Sequence, residues 1–420
     1  MKFLFKHHTI SATPIVLTFL LGGAIPGLSA PITGTDGDDT LIGTDFDDVF
    51  IGTPGSDYID GGAHTLLGDT IDYSGSNAAI ELYFSGNGDA VGIGGYADSD
   101  HISNIEKVIG SEFDDIIFGD DRNFSFFLPS NIYEGGGGND YIDGRGGSDL
   151  IMGNDGRDVL IGGDGNDTLI GGKGGDALVG GEGFDTVDYS ASEDGVVLAL
   201  EATDSYGIGS RYMIDSPIGG VSGDAEDDWF ESIEKVVGSR FNDAIYGVAA
   251  PNGSGTLAFL GDGDDIFDNH EFRISADVIC GGNGDDHIWT GDGPDVIEGG
   301  PGNEIIYAEG GKDEIIGGAG DDFLSGGVGD DFFSYYSTGY GNDVISDFNR
   351  DGHGSDTLLF SSSIFKNSTE VLEAAKQVGG DVIIVDRHQS SIRLRDYLLA
   401  SFSEKDIIII GGQPASSCTL

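Results

Sequence analysis

Residues 135–188 read GGGGNDYID GRGGSDLIM GNDGRDVLI GGDGNDTLI GGKGGDALV GGEGFDTVD, six units of nine with no residue between them. Aspartate holds the sixth place of every unit, at Asp140, Asp149, Asp158, Asp167, Asp176 and Asp185. A large aliphatic residue follows two places later: Ile142, Ile151, Leu160, Leu169, Leu178 and Val187. The same phase returns over 281–334 as GGNGDDHIW TGDGPDVIE GGPGNEIIY AEGGKDEII GGAGDDFLS GGVGDDFFS. Its acids are Asp286, Asp295, Glu304, Asp313, Asp322 and Asp331, and its apolar places are Ile288, Ile297, Ile306, Ile315, Leu324 and Phe333. Nearer the N-terminus a shorter run pairs Asp39, Asp48 and Asp57 with Leu41, Phe50 and Ile59, and single copies surround Asp115, Asp243 and Asp265. One such motif alone would signal only a turn. Tandem runs in a single phase specify a stacked repeat architecture.

The spacing has a physical reading. Six residues of each unit make a turn and three make a short strand whose central apolar side chain points inward. Glycine at the first, second and fourth places allows positive φ and close backbone approach. Strands this short, alternating in side, coil into a two-sided roll in which each unit stacks on the next but one. The expected class is therefore all-β, a parallel β-roll in several runs with longer inserted coils and a small β-rich C-terminal cap. Rungs lie about 4.8 Å apart, which brings Asp140 beside Asp158 and Asp149 beside Asp167 on opposite edges. Carboxylates at that distance repel by roughly 3–4 kcal/mol at an effective dielectric near 20. A hard dication reverses the sign. Ca²⁺ accepts six to eight oxygens in flexible geometry, which turn carbonyls and carboxylates supply, whereas Mg²⁺ demands a tight octahedron and suits such a site poorly.

These units resemble the RTX (repeats-in-toxin) haemolysin-type calcium-binding repeats, and the resemblance covers nearly all of residues 34–410. It implies several Ca²⁺ ions, with candidate ligands at Asp39, Asp48, Asp57, Asp115, Asp140, Asp149, Asp158, Asp167, Asp176, Asp185, Asp243, Asp265, Asp286, Asp295, Glu304, Asp313, Asp322 and Asp331. One buried aliphatic residue per nine does not offset the cost of ordering a glycine-rich unit. Metal binding is accordingly expected to be coupled to folding.

Composition agrees. The 420 residues hold 74 glycines and 74 acids against 19 Lys plus Arg, for a net charge of −55. Nucleic acid is excluded as a partner, because phosphate binding needs a basic footprint. Disorder alone does not account for a chain that is 38% hydrophobic with the Ile, Leu, Val and Phe at fixed spacing. Two cysteines, Cys280 and Cys418, cannot make a disulfide framework, though one bridge between them is open. Residues 1–30 read as a signal peptide: Lys2, Lys6, His7 and His8 precede an apolar stretch from Ile15 to Leu21. That stretch is short for a membrane span and is flanked by Pro14 and Pro26. A secreted, extracellular bacterial protein is expected, with no stable membrane span.

Beyond the signal, the sequence divides into a first run with an insert (31–134), a second run with an insert (135–260), a third run (261–334) and a cap (335–420). The two inserts resemble each other. Asp72-Tyr73-Ser74 and Asp188-Tyr189-Ser190 open them, and Ile105–Ser111 and Ile233–Ser239 close them in phase with Ile117 and Ile245. They read as elaborated coils of the same roll, with a ligand-binding face as the sharper alternative. Similar inserts in RTX modules attached to alginate epimerases raise polysaccharide as a candidate ligand, and Trp229 and Phe230 as residues that could stack on a sugar. In the cap, Asn367 or Ser368 starts a helix running through Gln377, and 381–386, 391–396 and 406–410 read as strands. The cap resembles the type I secretion region that follows RTX arrays. Asp347, Asn349, Asp351 and Gly352 match half an EF-hand loop, but Leu358 stands where its glutamate belongs, and a plain acidic turn is the simpler reading. Neither HExxH, GxSxG nor a P-loop occurs. The expectation is a calcium-binding protein, not an enzyme, with a structural or interaction role. A polysaccharide- or cell-surface-binding adhesin using the inserts is the alternative, and a toxin or an enzyme is more remote.

Overall fold

The computed structural model describes residues 30–64, 68–122, 129–199, 201–202, 208–209, 223–246, 255–269, 275–349, 354–412 and Cys418. The signal-peptide reading of residues 1–30 falls almost wholly outside them.

Each nonapeptide forms a short parallel strand, and the register is that of every second unit. Tyr141-Ile142-Asp143 pairs with Val159-Leu160-Ile161, which pairs with Ala177-Leu178-Val179. The intervening units pair among themselves on the other side, Ile151 with Leu169 and Leu169 with Val187. The chain is thus a parallel β-solenoid with two faces, and the inward residues of both are fully buried in one core. A stripe one residue wide is all that a three-residue strand can bury, because its flanking side chains point outward.

Among the described residues one face is a single sheet of 16 strands, from Ile32–Thr33 to Ile407–Ile410. The opposite face is built from two sheets of 10 strands each. The first begins at Thr40–Ile42 and ends at Trp229–Glu231, and the second begins at Val197–Ala199. The hand-over lies in the second insert. The first insert is an elaborated coil. Its strands Glu81–Phe84, Ala90–Ile93 and His101–Ser103 fill the sheet between Tyr58–Asp60 and Ile116–Phe118, partly antiparallel. Phe230 is buried against Tyr189 and cannot stack on a ligand, whereas Trp229 lies on the outer face.

The cap differs from expectation at one point. Asn367 caps the helix by accepting the Glu370 N–H at 3.1 Å, but the helix ends at Ala374. Ala375–Val378 instead pairs antiparallel with Asp381–Val385 across Gly379 (φ 65°) and Gly380. A left-handed glycine before a β-rich stretch makes a hairpin there more favourable than a continued helix. Strands Ser391–Leu394 and Ile407–Ile410 form as expected. Cys280, in the long sheet, and Cys418 are joined in a disulfide with Cα atoms 5.5 Å apart. The single bridge that the sequence left open is therefore made, and it ties the chain end to the third run.

Candidate metal centres

The sixth-place acids line the two edges of the roll as ladders. In the glycine runs one carboxylate oxygen of every aspartate accepts a backbone N–H of the rung below, in most cases that of the acid there. Asp158 Oδ1 takes the Asp140 N–H at 2.8 Å, and Asp176 Oδ1 takes the Asp158 N–H at 2.8 Å. On the other edge Asp167 Oδ1 takes the Asp149 N–H at 2.7 Å and Asp185 Oδ1 takes the Asp167 N–H at 2.8 Å. The third run repeats this from Asp265 to Asp286 and from Asp295 through Asp313 to Asp331. Stacked acids are thus neighbours, as the period implied. What the spacing did not show is that half of each carboxylate is used up in holding the rung below.

The second oxygen separates the eighteen candidates into two groups. Asp140, Asp149, Asp158, Asp167, Asp176, Asp185, Asp265, Asp286, Asp295, Asp313, Asp322 and Asp331 each bury an Oδ2 with no hydrogen-bond partner, and Glu304 buries two such oxygens. An unpartnered buried acceptor is costly, and here it recurs rung after rung. Where the first place of the turn is glycine, as at Gly135 and Gly281, this oxygen is turned toward it. A methyl group built on Gly135 would lie 2.1 Å from Asp140 Oδ2 and 2.9 Å from the Gly153 carbonyl oxygen. On Gly281 it would lie 2.3 Å from Asp286 Oδ2 and 2.4 Å from the Gly299 carbonyl oxygen. A carboxylate oxygen and a carbonyl of the next rung therefore converge on one small space that no donor enters, and glycine keeps that space open.

Asp39, Asp48, Asp57, Asp115 and Asp243 behave differently. Thr35 donates to Asp39 Oδ2 from its N–H at 2.6 Å and its hydroxyl at 2.8 Å, and Thr44 does the same for Asp48 at the same distances. Thr53 donates its hydroxyl to Asp57 Oδ2 at 3.2 Å. Ser111 and Ser239 satisfy Asp115 and Asp243 with both N–H and hydroxyl. The ladder bonds persist, with the Asp115 N–H on Asp140 Oδ1 and the Asp243 N–H on Asp265 Oδ1.

Burial raises acids in both groups, among them Asp115 and, to about 6, Asp243. Burial, with Asp158 adding, pushes the Asp140 carboxyl up to about 8. Burial and the Asp167 charge push Asp149 up to about 9, and burial holds Asp313 near 8. Asp39 moves the other way, held below the usual carboxylate range by the Thr35 N–H and hydroxyl. The glycine turns are acidic sites short of positive charge.

Among the described residues three further carboxylates have an unpartnered Oδ2, Asp386 in the cap and, within the ladders, Asp69 and Asp343. The two in the ladders each accept the N–H of the acid one rung below, Asp69 from Asp48 at 2.7 Å and Asp343 from Asp322 at 3.2 Å. Both stand 21 residues after that acid, outside the strict period, and their only signal is the Asp-x-Ile that follows. In the inserts the ladder passes through Asp100 and Asp228, whose Oδ2 accept the hydroxyls of Tyr73 and Tyr189. That role gives a physical reason for the repeated Asp-Tyr-Ser.

The described part of the half EF-hand, Asp347 and Asn349, is held by hydrogen bonds within the fold. Asp347 is taken by the Gly326 and Gly327 N–H groups and the Ser325 hydroxyl, and Asn349 makes a reciprocal pair with Asp356. Asp351 and Gly352 lie outside the described residues. Among the described residues no group of three or more His, Cys, Asp or Glu side chains converges on a metal position. Any ion here is held by one or two carboxylates with backbone carbonyls. Oxygen donors of that kind suit calcium and exclude the softer transition metals.

A family model of the RTX calcium-binding nonapeptide repeat matches residues 33–63, 130–160, 152–187, 275–297, 280–315 and 298–333. No curated protein matches the sequence. Among solved structures, the extracellular lipase LipA from Serratia marcescens aligns over 72% of this chain at 16% identity and a TM-score of 0.18. The aligned region spans 40% of the lipase, and at that score the likeness carries no argument. Among the described residues no helix is long and apolar enough to cross a membrane.

Proposed function

The chain is built on RTX calcium-binding nonapeptide repeats, and from that premise we propose that it is a secreted protein whose roll folds when calcium fills the glycine turns. The observation that carries the reading is the row of buried, unpartnered Oδ2 atoms, which at Asp140, Asp149, Asp158, Asp167 and Asp286 face a stacked turn carbonyl. The aspartates of those turns and the carbonyls of their first-place glycines hold the ion. Bound calcium supplies the positive charge that lets the ladder carboxylates stay ionised together. The role is structural or one of interaction, and no catalytic step is assigned to any residue.

Export explains why folding would depend on the metal. Extracellular calcium modules bind at about 10⁻⁴–10⁻³ M, so the chain stays unfolded in a low-calcium cytoplasm. A polyanion of −55 without the ion is expanded by its own repulsion. Circular dichroism and small-angle scattering of the chain in EDTA and in millimolar calcium test this. Calcium should produce strand signal and compaction. Full β-structure and native size in EDTA would overturn the coupling of folding to metal.

A further inference from the structure

We propose that the residue in the second place of each turn decides whether that turn takes calcium, and that the turns of Asp39, Asp48, Asp57, Asp115 and Asp243 close without it. The inference rests on the calcium reading above and divides its sites.

The two kinds of turn differ in backbone as well as in side chain. Where Oδ2 is unpartnered, the second residue has positive φ, as at Gly136 (111°), Gly163 (110°) and Gly318 (119°). The rule holds where that residue is not glycine, at Arg145 (68°), Asn154 (75°) and Glu309 (66°). Where Ser or Thr stands there, φ is not positive. A β-branched threonine avoids that region, and on the ordinary side of φ the second-place N–H points at the carboxylate of its own turn. The hydroxyl joins it. All five turns place a donor on the Oδ2 that a glycine turn leaves bare: N–H and hydroxyl together at Asp39 and Asp48, the hydroxyl at Asp57, and the N–H at Asp115 and Asp243, where the serine hydroxyl goes to Oδ1. An oxygen already holding donors is a poor calcium ligand, because the ion would have to displace them.

The placement of these turns gives the division a purpose. Ser111 and Ser239 stand at matched positions where each insert rejoins the roll. Asp115 there hands its N–H to Asp140, and Asp243 hands its N–H to Asp265. Each glycine run therefore stacks on a rung that closes by itself. Solenoid repeats are stabilised mainly by their neighbours, so such a rung is a template on which the metal-dependent rungs assemble.

The test is an anomalous-scattering map of the full chain crystallised with calcium or with terbium in its place. Ions should appear beside Oδ2 of Asp140, Asp158 and Asp286, and none beside Asp115 or Asp243. An ion at Asp115 or Asp243 would overturn the inference, whereas a folded chain with no ion at any turn would overturn the calcium reading itself. In solution, Ser111→Gly with Ser239→Gly should add one bound calcium per converted turn in equilibrium dialysis. Ser111→Ala with Ser239→Ala, which keeps the φ preference, should add none. A folded glycine variant with unchanged stoichiometry contradicts the proposal, and the map on the unaltered chain decides the matter if that variant does not fold.

Discussion

Residues 34–60 and residues 135–188 run through the same nine-residue cycle, stack in the same register and bury the same central apolar place, yet they treat the sixth-place acid in opposite ways. In the first stretch threonine donors draw the carboxylate back onto its own turn. In the second, glycines leave an oxygen buried and bare. The inserts show a third solution, in which a tyrosine hydroxyl from a neighbouring coil reaches the bare oxygen. One motif thus carries two separable jobs. The ladder bond through Oδ1 is common to both stretches, while the second oxygen decides what else the roll requires.

The largest effect expected from this difference is on pH dependence without metal. Burial raises Asp140 to about 8, Asp149 to about 9 and Asp185 to about 7, against an unfolded value near 4. A folded-state value above the unfolded one means that the folded runs bind more protons. Their stability is then fully present below about pH 4 and is lost as pH rises from about 6 through 9. Asp39 has the opposite sign: its contribution is present above the unfolded value and lost on acidification through its depressed one. In EDTA, lowering pH from 9 to 5 should therefore restore β-signal that calcium would otherwise have supplied, in the second and third runs and at the Asp69 and Asp100 rungs of the first, but not at the Asp39 coil. Circular dichroism measures the total, and limited proteolysis at each pH assigns it to runs. A β-signal that is flat or falls over this range would show that the bare carboxylates are not what holds the apo chain open.

Much of this was legible in the sequence. The period of nine carried the parallel roll, the stacking of alternate units and the inward residues, because glycine spacing and a single apolar place admit few other arrangements. The ligand list was less secure, since it treated all sixth-place acids alike. The distinguishing signal was present at Thr35, Thr44, Thr53, Ser111 and Ser239, but a hydroxyl in a turn acquires meaning only when its distance to the carboxylate is known. Asp69 and Asp343 were missed because longer coils break the period before them. The sequence leaves the Cys280–Cys418 bridge open, because nothing local to Cys418 tells where that segment docks.

A smaller and separable effect belongs to the tyrosine-capped rungs. Tyr73→Phe removes the donor to Asp100 Oδ2, which lies at 2.7 Å from the hydroxyl in a fully buried position. Leaving one buried acceptor unpaired costs about 1–3 kcal/mol. Tyr189→Phe does the same to Asp228. Because the lost donor is a hydroxyl and not an ion, the fall in thermal midpoint should remain at saturating calcium. If high calcium erased it, the insert rungs would be metal sites like the others and the three-way distinction would collapse to two.

The smallest expected effect sharpens the comparison within the glycine turns themselves. Glu304 stands where its neighbours carry aspartate, and it is the one sixth-place acid among those of the third run that makes no ladder bond through its side chain. Both of its oxygens are buried and unpartnered, so neither takes the Asp286 N–H. Its own N–H still reaches Asp322 Oδ1, at 3.1 Å. The extra methylene carries the carboxylate past the position from which it would hold the rung below, and burial together with Asp322 and Asp286 pushes it up to about 9. The opposite edge, through Asp295, Asp313 and Asp331, keeps every such bond. Glu304→Asp should restore the missing bond, a gain of about 1 kcal/mol, or about a fivefold increase in calcium affinity at that edge. Calorimetric titration of the full chain should show the weakest class of sites tightening while the others stay fixed. Unchanged or weaker binding would mean that calcium draws the longer side chain into place by itself, and that ladder bond and metal site are independent even within one turn.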